Sequence, residues 1–193
     1  MSTNEALRAP ARTDSADPRA ARVRDLLRRA AFELIEECRV EKISVSDITQ
    51  RAGVSRQVFY QHFRDRDDAV SAAVAASLAA VAAETAGEQP VALLHRLCDY
   101  TAEHADLYRN LYPSAASQQT ADAYRALIRP ACARLAAGLS RRPADALADF
   151  LVGGIIEITR QQDDGSSSTT AARANDLRAR IDACLEAVGI QMS

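Results

Sequence analysis

The chain has 193 residues, which is enough for one large domain or two small ones with a substantial core. Its composition, 48% hydrophobic and 26% charged, excludes a chain that is disordered throughout, and a formal net charge of −2 excludes a uniformly basic protein. Seven Gly, six Pro and few β-branched runs favour an all-α protein.

The chain contains four cysteines, Cys38, Cys98, Cys132 and Cys184. They lie far apart in apolar helical patterns, and no C-x-x-C occurs, so we interpret them as small buried hydrophobic residues, with a reactive thiol as the alternative. The N-terminus has no apolar signal segment, and no run is long enough to span a bilayer. The sequence therefore predicts a cytoplasmic protein with no membrane partner.

The N-terminal residues, 1–18, are predicted to form a flexible arm because Pro10, Pro18 and scattered polar residues break any regular pattern. Arginines in this arm could contact DNA, although a solvated tail is the simpler interpretation. From Arg19 to Cys38, apolar residues recur at three- and four-residue steps. This spacing predicts an amphipathic helix with arginines clustered in its first half.

Signals for starting and ending helices are dense between residues 44 and 55. Ser44 and Asp47 have the spacing of a capping box, which predicts a helix over Val45–Ala52. Gly53 can end that helix in a left-handed conformation, and Ser55 can cap the next one. Two short helices joined by such a turn are typical of a helix-turn-helix unit, whose second helix enters the DNA major groove.

The second of these helices, predicted over Arg56–Phe63, divides into two kinds of residue. Val58, Phe59 and Phe63 can hold it against earlier helices, while its other side chains suit base edges and phosphates. Asp65 and Asp68 repeat the capping pattern and start a further helix. Arg64 and Arg66 flank that start, where backbone N–H groups favour phosphate.

This segment resembles the DNA-binding domain of TetR-family bacterial transcription regulators, which reads roughly T-V-x-D-I-A-x-x-A-G-V-S-x-G-T-F-Y-x-H-F-x-x-K-x-x-L. The chain departs from this pattern at Thr49, at Gln57-Val58, at Arg66 in place of a phosphate-contacting Lys, and at Ala69. Residues 104–111, H-A-D-L-Y-R-N-L, are similar to the family's H-P-E-L-Y-R-x-L. The matching residues are Ser44, Val45, Asp47, Ile48, Ala52, Gly53, Val54, Ser55, Phe59, Tyr60, His62 and Phe63.

The resemblance implies an all-α fold with an N-terminal three-helix helix-turn-helix domain and a larger C-terminal helical domain for ligand binding and dimerisation. We place the DNA-binding domain at 19–68 and the effector-binding and dimerisation domain at 69–193. The predicted DNA-binding residues are Ser44, Ser46, Ser55, Arg56, Gln57, Val58, Tyr60, Gln61, His62, Arg64 and Arg66.

The C-terminal part reads as a succession of helices. They are predicted over 67–86, 91–105, 106–112, 118–140 with a kink from Pro130, 143–162 and 170–188. The family binds its effectors among the middle helices of this domain, where tyrosines lie among apolar residues. The predicted effector-binding residues are His95, Cys98, Tyr100, Tyr108, Tyr112 and Tyr124.

The last two helices are predicted to form a four-helix dimer interface with a second copy, as the resemblance implies. One is apolar or small nearly all round, and the other carries a regular apolar stripe. The alternative is that both helices complete a monomer core. The predicted interface residues are Phe150, Gly153, Gly154, Leu177, Ile181 and Leu185.

An enzyme is not expected, since the three histidines have no Ser, Cys or carboxylate at the spacing of a known nucleophile arrangement. His95 and Cys98 share a helix face, but two ligands do not make a metal site, and we expect neither metal nor cofactor. The predicted function is a homodimeric repressor that releases a palindromic operator in double-stranded DNA on binding a small hydrophobic effector. The alternative is a helical small-molecule-binding or dimerisation module that does not regulate DNA.

Overall fold

The computed structural model describes residues 18–137, 144–160 and 169–190. These residues form nine α-helices: α1 (Pro18–Glu37), α2 (Val45–Ala52), α3 (Arg56–His62), α4 (Arg66–Glu84), α5 (Pro90–Glu103), α6 (Ala105–Leu111), α7 (Ala115–Ala137), α8 (Ala144–Arg160) and α9 (Thr170–Ala187). The predicted all-α fold, with a three-helix N-terminal unit before a larger helical part, is confirmed. The predicted arm, except for Pro18, and the loop predicted before α9, except for Thr169, lie outside the described residues.

The N-terminal domain is built on the apolar stripe of α1. Leu27, Ala31 and Ile35 are fully buried on this stripe, and α1 packs against α2 and α4. A 3-10 helix, Val40–Lys42, joins α1 to α2 and buries Val40. This element was not predicted from the sequence, because its three residues are too few for a periodic pattern.

Helix α4 connects the two parts of the chain. Its buried residues, which include Val70, Val74 and Leu78, face both α1 and α7. The boundary predicted between residues 68 and 69 therefore falls within the first turn of a continuous helix. A single apolar core runs from Leu27 in α1 to Ile190 after α9, and α4 contributes buried residues to it.

Helix α7 begins earlier than predicted and has Pro130 in its interior. It begins before Gln118 because Ser114 acts as a cap: the Ser117 N–H donates to Ser114 Oγ at 3.1 Å. It also continues through Pro130, which lies inside the helix and is exposed. Within the described residues, no helix has the length and apolar character needed to cross a membrane.

Candidate nucleic-acid interface

The turn between α2 and α3 has the geometry that its sequence predicts. Ser44 and Asp47 form a reciprocal capping box, with the Asp47 N–H 3.2 Å from Ser44 Oγ and the Ser44 N–H 2.8 Å from Asp47 Oδ2. Gly53 ends α2 with a φ of 68°, a left-handed conformation that favours glycine. Ser55 then caps α3 by accepting the Val58 N–H at 3.3 Å. These local bonds fix the angle between the two helices.

An ion-pair cluster fixes α2 against α1. The Arg51 guanidinium donates to both carboxylate oxygens of Glu37 at 2.9 Å and to Glu33 at 3.3 Å. The hydrogen bond from Arg51 lowers the pKa of the Glu37 carboxyl, so the pair stays charged near neutral pH.

Thr49, a departure from the family pattern, is buried, and its hydroxyl donates to the Ser46 carbonyl at 3.0 Å. This substitution therefore leaves no unsatisfied hydroxyl.

Helix α3 is anchored from beneath by two aromatic residues. Phe59 is fully buried, and Phe63, which follows the helix, is 3% exposed, with 5.8 Å between their ring centroids. Tyr60 contacts Phe59 edge to face at 5.4 Å but remains 53% exposed. Val58 is half-buried.

The outer face of α3 combines exposed polar side chains on a rigid support. Arg56, Gln57, Tyr60 and Gln61 are exposed, as are Ser44, Ser46 and Ser55 at the two helix starts. Such groups can donate to phosphates and to base edges in a major groove. A short helix anchored at its apolar face can thus enter a groove without rearranging.

His62 and Arg24 meet at the C-terminal end of α3. Burial, and then the positive charge of Arg24, lower the pKa of His62, which favours the neutral imidazole at neutral pH. The Arg24 guanidinium carbon lies 5.3 Å from the centroid of the Phe63 ring, a cation–π contact. The fold therefore brings the basic first half of α1 beside the C-terminal end of α3. Sequence periodicity could not establish this orientation, so Arg24 was not among the predicted DNA-binding residues.

Arg64 and Arg66 have different surroundings. The Arg64 side chain is 68% exposed, with one ion pair to Asp68 at 3.5 Å. The Arg66 guanidinium instead donates to the carbonyl of Ile43 at 3.2 Å and pairs with Asp67. Arg66 thus ties the start of α4 to the segment before α2, a structural role that its alignment with the family's phosphate-contacting Lys did not suggest.

The predicted effector residues fall into two groups. The pKa of Tyr108 is raised mainly by burial and then by the neighbouring phenols of Tyr100, Tyr124 and Tyr112, so these four tyrosines lie together. His95 and Cys98 lie instead at the contact between α5 and α9. His95 Nε2 is 2.6 Å from Asp182 Oδ1, and Cys98 is buried.

Cys98 is a structural thiol beside the charged residues of that contact. Burial, then the nearby Asp99, raise its pKa to about 12, so it is an unreactive thiol. The structure thus brings the four tyrosines together and places His95 and Cys98 at the contact with α9. The periodicity of the sequence predicted the helices that carry these residues. It could not show which neighbouring helix packs against each face of α5.

The predicted dimer-interface residues fall into an exposed group in α8 and a buried group in α9. Phe150 is 67% exposed, and Gly153 and Gly154 are exposed, with nothing among the described residues within 4 Å of a Cβ built at either glycine. Leu177, Ile181 and Leu185 are instead completely or almost completely buried, in a helix that packs mainly on α5. These three residues complete the core of the chain, so their assignment to the interface is corrected. The exposed face of α9 carries small residues, among them Ala179, Ala183 and Cys184.

A capped helix, a left-handed glycine turn and a second helix with an exposed polar face define a helix-turn-helix DNA-binding protein. Residues 27–73 match the family model described as bacterial regulatory proteins, tetR family. This part of the chain is a TetR-family DNA-binding domain, which confirms the resemblance seen in its sequence.

Solved structures share the fold over most of the chain. A TetR-family transcriptional regulator from Streptomyces coelicolor has a TM-score of 0.61 at 20% identity, covering 87% of this chain and 82% of its own. FadR from Thermus thermophilus, a TetR-family transcriptional repressor in complex with lauroyl-CoA, has a TM-score of 0.60 at 20% identity, covering 88% and 97%. The fatty acid degradation regulator FadR from Bacillus halodurans has a TM-score of 0.59 at 14% identity, covering 92% and 100%. No curated protein sequence matches the chain.

Proposed function

We propose that this DNA-binding regulator is a homodimeric repressor that holds a palindromic operator through α3 and releases it when a small hydrophobic molecule binds the C-terminal domain. The observation that carries the proposal is the outer face of α3. Four adjacent polar side chains are exposed there, while Phe59 and Phe63 fix the helix from below. Exposed arginine, glutamine and tyrosine side chains on such a support are of the kind that hydrogen-bond to phosphates and base edges.

Dimerisation is supported by the exposed face of α8. Phe150 is one of three large hydrophobic residues exposed among the described residues, and it lies one helical turn from Gly153 and Gly154. Small residues allow close approach of a second helix, and burial of an exposed Phe stabilises the complex by about 1.5–3 kcal/mol. A twofold axis through this face would present two copies of α3, as a palindromic operator requires.

Ligand response is supported by the composition of the C-terminal domain and by one structural relative. The helices that carry Tyr100 and Tyr108 also carry the fully buried leucines Leu97, Leu107 and Leu111, a composition that suits an apolar ligand with few polar groups. The Thermus thermophilus FadR structure contains lauroyl-CoA. A ligand that binds preferentially to a conformation with the wrong spacing between the two α3 helices lowers DNA affinity by linkage.

Selection from a random double-stranded DNA library tests this proposal. We expect the enriched sequences to contain an inverted repeat with half-sites about one helical turn apart, roughly 34–36 Å. Compounds that raise the melting temperature should then be tested for release of that operator. Enrichment of no sequence, or of a sequence without twofold symmetry, would contradict the proposal.

A further inference from the structure

Arg24 in α1 places a positive charge beside the C-terminal end of α3. The Arg24 guanidinium carbon lies 5.3 Å from the centroid of the Phe63 ring, and Phe63 directly follows α3. The charge of Arg24 also helps to lower the pKa of His62, the last residue of α3, after the larger effect of burial. Two residues at the same end of α3 therefore lie close to this charge.

Arg24 has no hydrogen-bond acceptor in the described part of the chain. The side chain is half-buried, its Nε is buried without a hydrogen-bond partner, and Arg24 forms no ion pair with a described residue. Asp25, the next residue along the chain, pairs instead with Arg28 at 3.1 Å. The Phe63 ring attracts the charge but supplies no oxygen acceptor, so the hydration that the guanidinium loses on burial is only partly compensated.

The other half-buried arginines of the N-terminal domain do have acceptors. Arg28 Nη1 donates to Asp25, and Arg66 Nη1 donates to the Ile43 carbonyl at 3.2 Å. Such partners are expected, because burying a charge without one is unfavourable. Arg24 departs from this pattern, which indicates an acceptor supplied by another molecule.

The position of Arg24 suits an anion on the DNA backbone. Phosphates line both sides of the major groove, which is about 12 Å wide, and α3 with its seven residues is about 10 Å long. A side chain beside one end of a helix in that groove is therefore within reach of a phosphate. A guanidinium can bind two oxygens of one phosphate through parallel N–H bonds, and a side chain already held against a ring is well placed to do so.

We propose that Arg24 binds a phosphate of the DNA backbone at the C-terminal end of α3 and so adds α1 to the DNA-binding surface. The inference rests on the proposed function, since it takes α3 to be the helix that enters the groove. Because the lowered pKa of His62 favours a neutral imidazole near neutral pH, the positive charge at this position comes from Arg24. A backbone contact positions α3 and carries no sequence preference of its own.

The test is the salt dependence of affinity for a labelled DNA duplex of mixed sequence, between about 50 and 200 mM salt. We expect Arg24→Gln to reduce the slope of log affinity against log salt by about one unit for each bound subunit, because one phosphate contact is lost. Arg24→Lys should keep the wild-type slope, since it keeps the charge. Arg28→Gln is the matched control: Arg28 lies one helical turn further along α1 and is already paired with Asp25, so this variant should also keep the slope.

A purely structural role for Arg24 would give a different result. Loss of the contact with the Phe63 ring would lower the melting temperature or the active fraction of Arg24→Gln, but the intact complexes would keep the wild-type slope. A wild-type slope in Arg24→Gln, or the same reduced slope in Arg24→Gln and Arg24→Lys, would overturn the proposal. An equal loss of slope in Arg28→Gln would also overturn it, because the effect would then be one of overall charge.

Selection of the operator separates this inference from the function on which it rests, since the mixed-sequence duplex contains no operator. If Arg24→Gln loses about one unit of slope for each bound subunit but the selected DNA has no twofold symmetry, the phosphate contact stands and the palindromic-operator function fails. If the wild type selects an inverted repeat and Arg24→Gln binds DNA with the wild-type slope, the function stands and the phosphate contact is overturned.

Discussion

The imidazole Nδ1 of His104 lies 2.7 Å from the Glu36 carboxylate Oε1, which joins the start of α6 to the last turn of α1. The same imidazole packs on Tyr100 at a ring-centroid distance of 4.5 Å. Asn110 adds a second link by donating to the Ile35 carbonyl at 2.9 Å. His104 thus contacts both Tyr100 and α1, so displacement of Tyr100 by a ligand would act on α1.

This link should be measurable as a coupling between the two side chains. Glu36→Ala and His104→Ala should each lower the free energy of unfolding. A double-mutant cycle should give a coupling of about 0.2–1 kcal/mol, as for partly exposed ion pairs. Urea unfolding of the four proteins measures it. Additive effects of the two substitutions on the free energy of unfolding would show that Glu36 and His104 are not energetically coupled, and would contradict this link between the domains.

His62 should make the stability depend on pH. Its pKa is lowered below the ordinary value of 6.5 by burial and then by Arg24, so the unfolded state binds this proton more readily than the folded state. The free energy of unfolding should therefore decrease as the pH falls below about 6.5, until the lower folded pKa is passed. Urea unfolding between pH 5 and 8 should show a smaller decrease for His62→Gln. Identical pH dependence in the two proteins would contradict this account.

Arg64 and Arg66 form a matched pair for a DNA-binding measurement. Arg64 is exposed, so Arg64→Ala should reduce the slope of log affinity against log salt by about one unit. Arg66→Ala should leave the slope unchanged but lower the melting temperature, because its guanidinium holds the Ile43 carbonyl. An equal loss of slope in both variants would place Arg66 on the DNA after all.

Phe150 should control the oligomeric state. Phe150→Asp should shift the dimer toward monomer, raising the dimer dissociation constant by at least about a hundredfold, since each of two symmetric burials is worth about 1.5–3 kcal/mol. Leu26→Asp is the control, because Leu26 is also an exposed large hydrophobic residue but lies in α1. Sedimentation velocity over a range of concentrations distinguishes them. A Phe150→Asp protein that remains dimeric would move the interface away from α8.

The DNA-binding domain could be predicted closely because its signals are local. A capping serine, an aspartate three residues later and a left-handed glycine each act within one turn of the chain, and Ser44, Asp47 and Gly53 all have the predicted geometry. The same is true of Ser55 at the start of α3. Such bonds do not depend on how distant parts of the chain pack.

The C-terminal domain could be predicted only as a set of helices. The apolar stripe of α9 was correct as a stripe, but periodicity does not say whether a neighbouring helix or a second copy covers it, and α5 covers Leu177, Ile181 and Leu185. The hydrogen bond between His95 and Asp182 joins residues far apart in sequence. Nothing local to either residue indicates it.

The most direct test of the central claim is the affinity of a Tyr60→Ala protein for the operator selected by the wild type. Tyr60 is exposed at the centre of the α3 face, whereas Gln118, exposed on α7, provides a polar control away from it. We predict that Tyr60→Ala loses operator binding while circular dichroism and dimer mass stay those of the wild type, and that Gln118→Ala binds normally. Unchanged operator affinity in a folded Tyr60→Ala dimer would contradict the assignment of α3 as the reading helix.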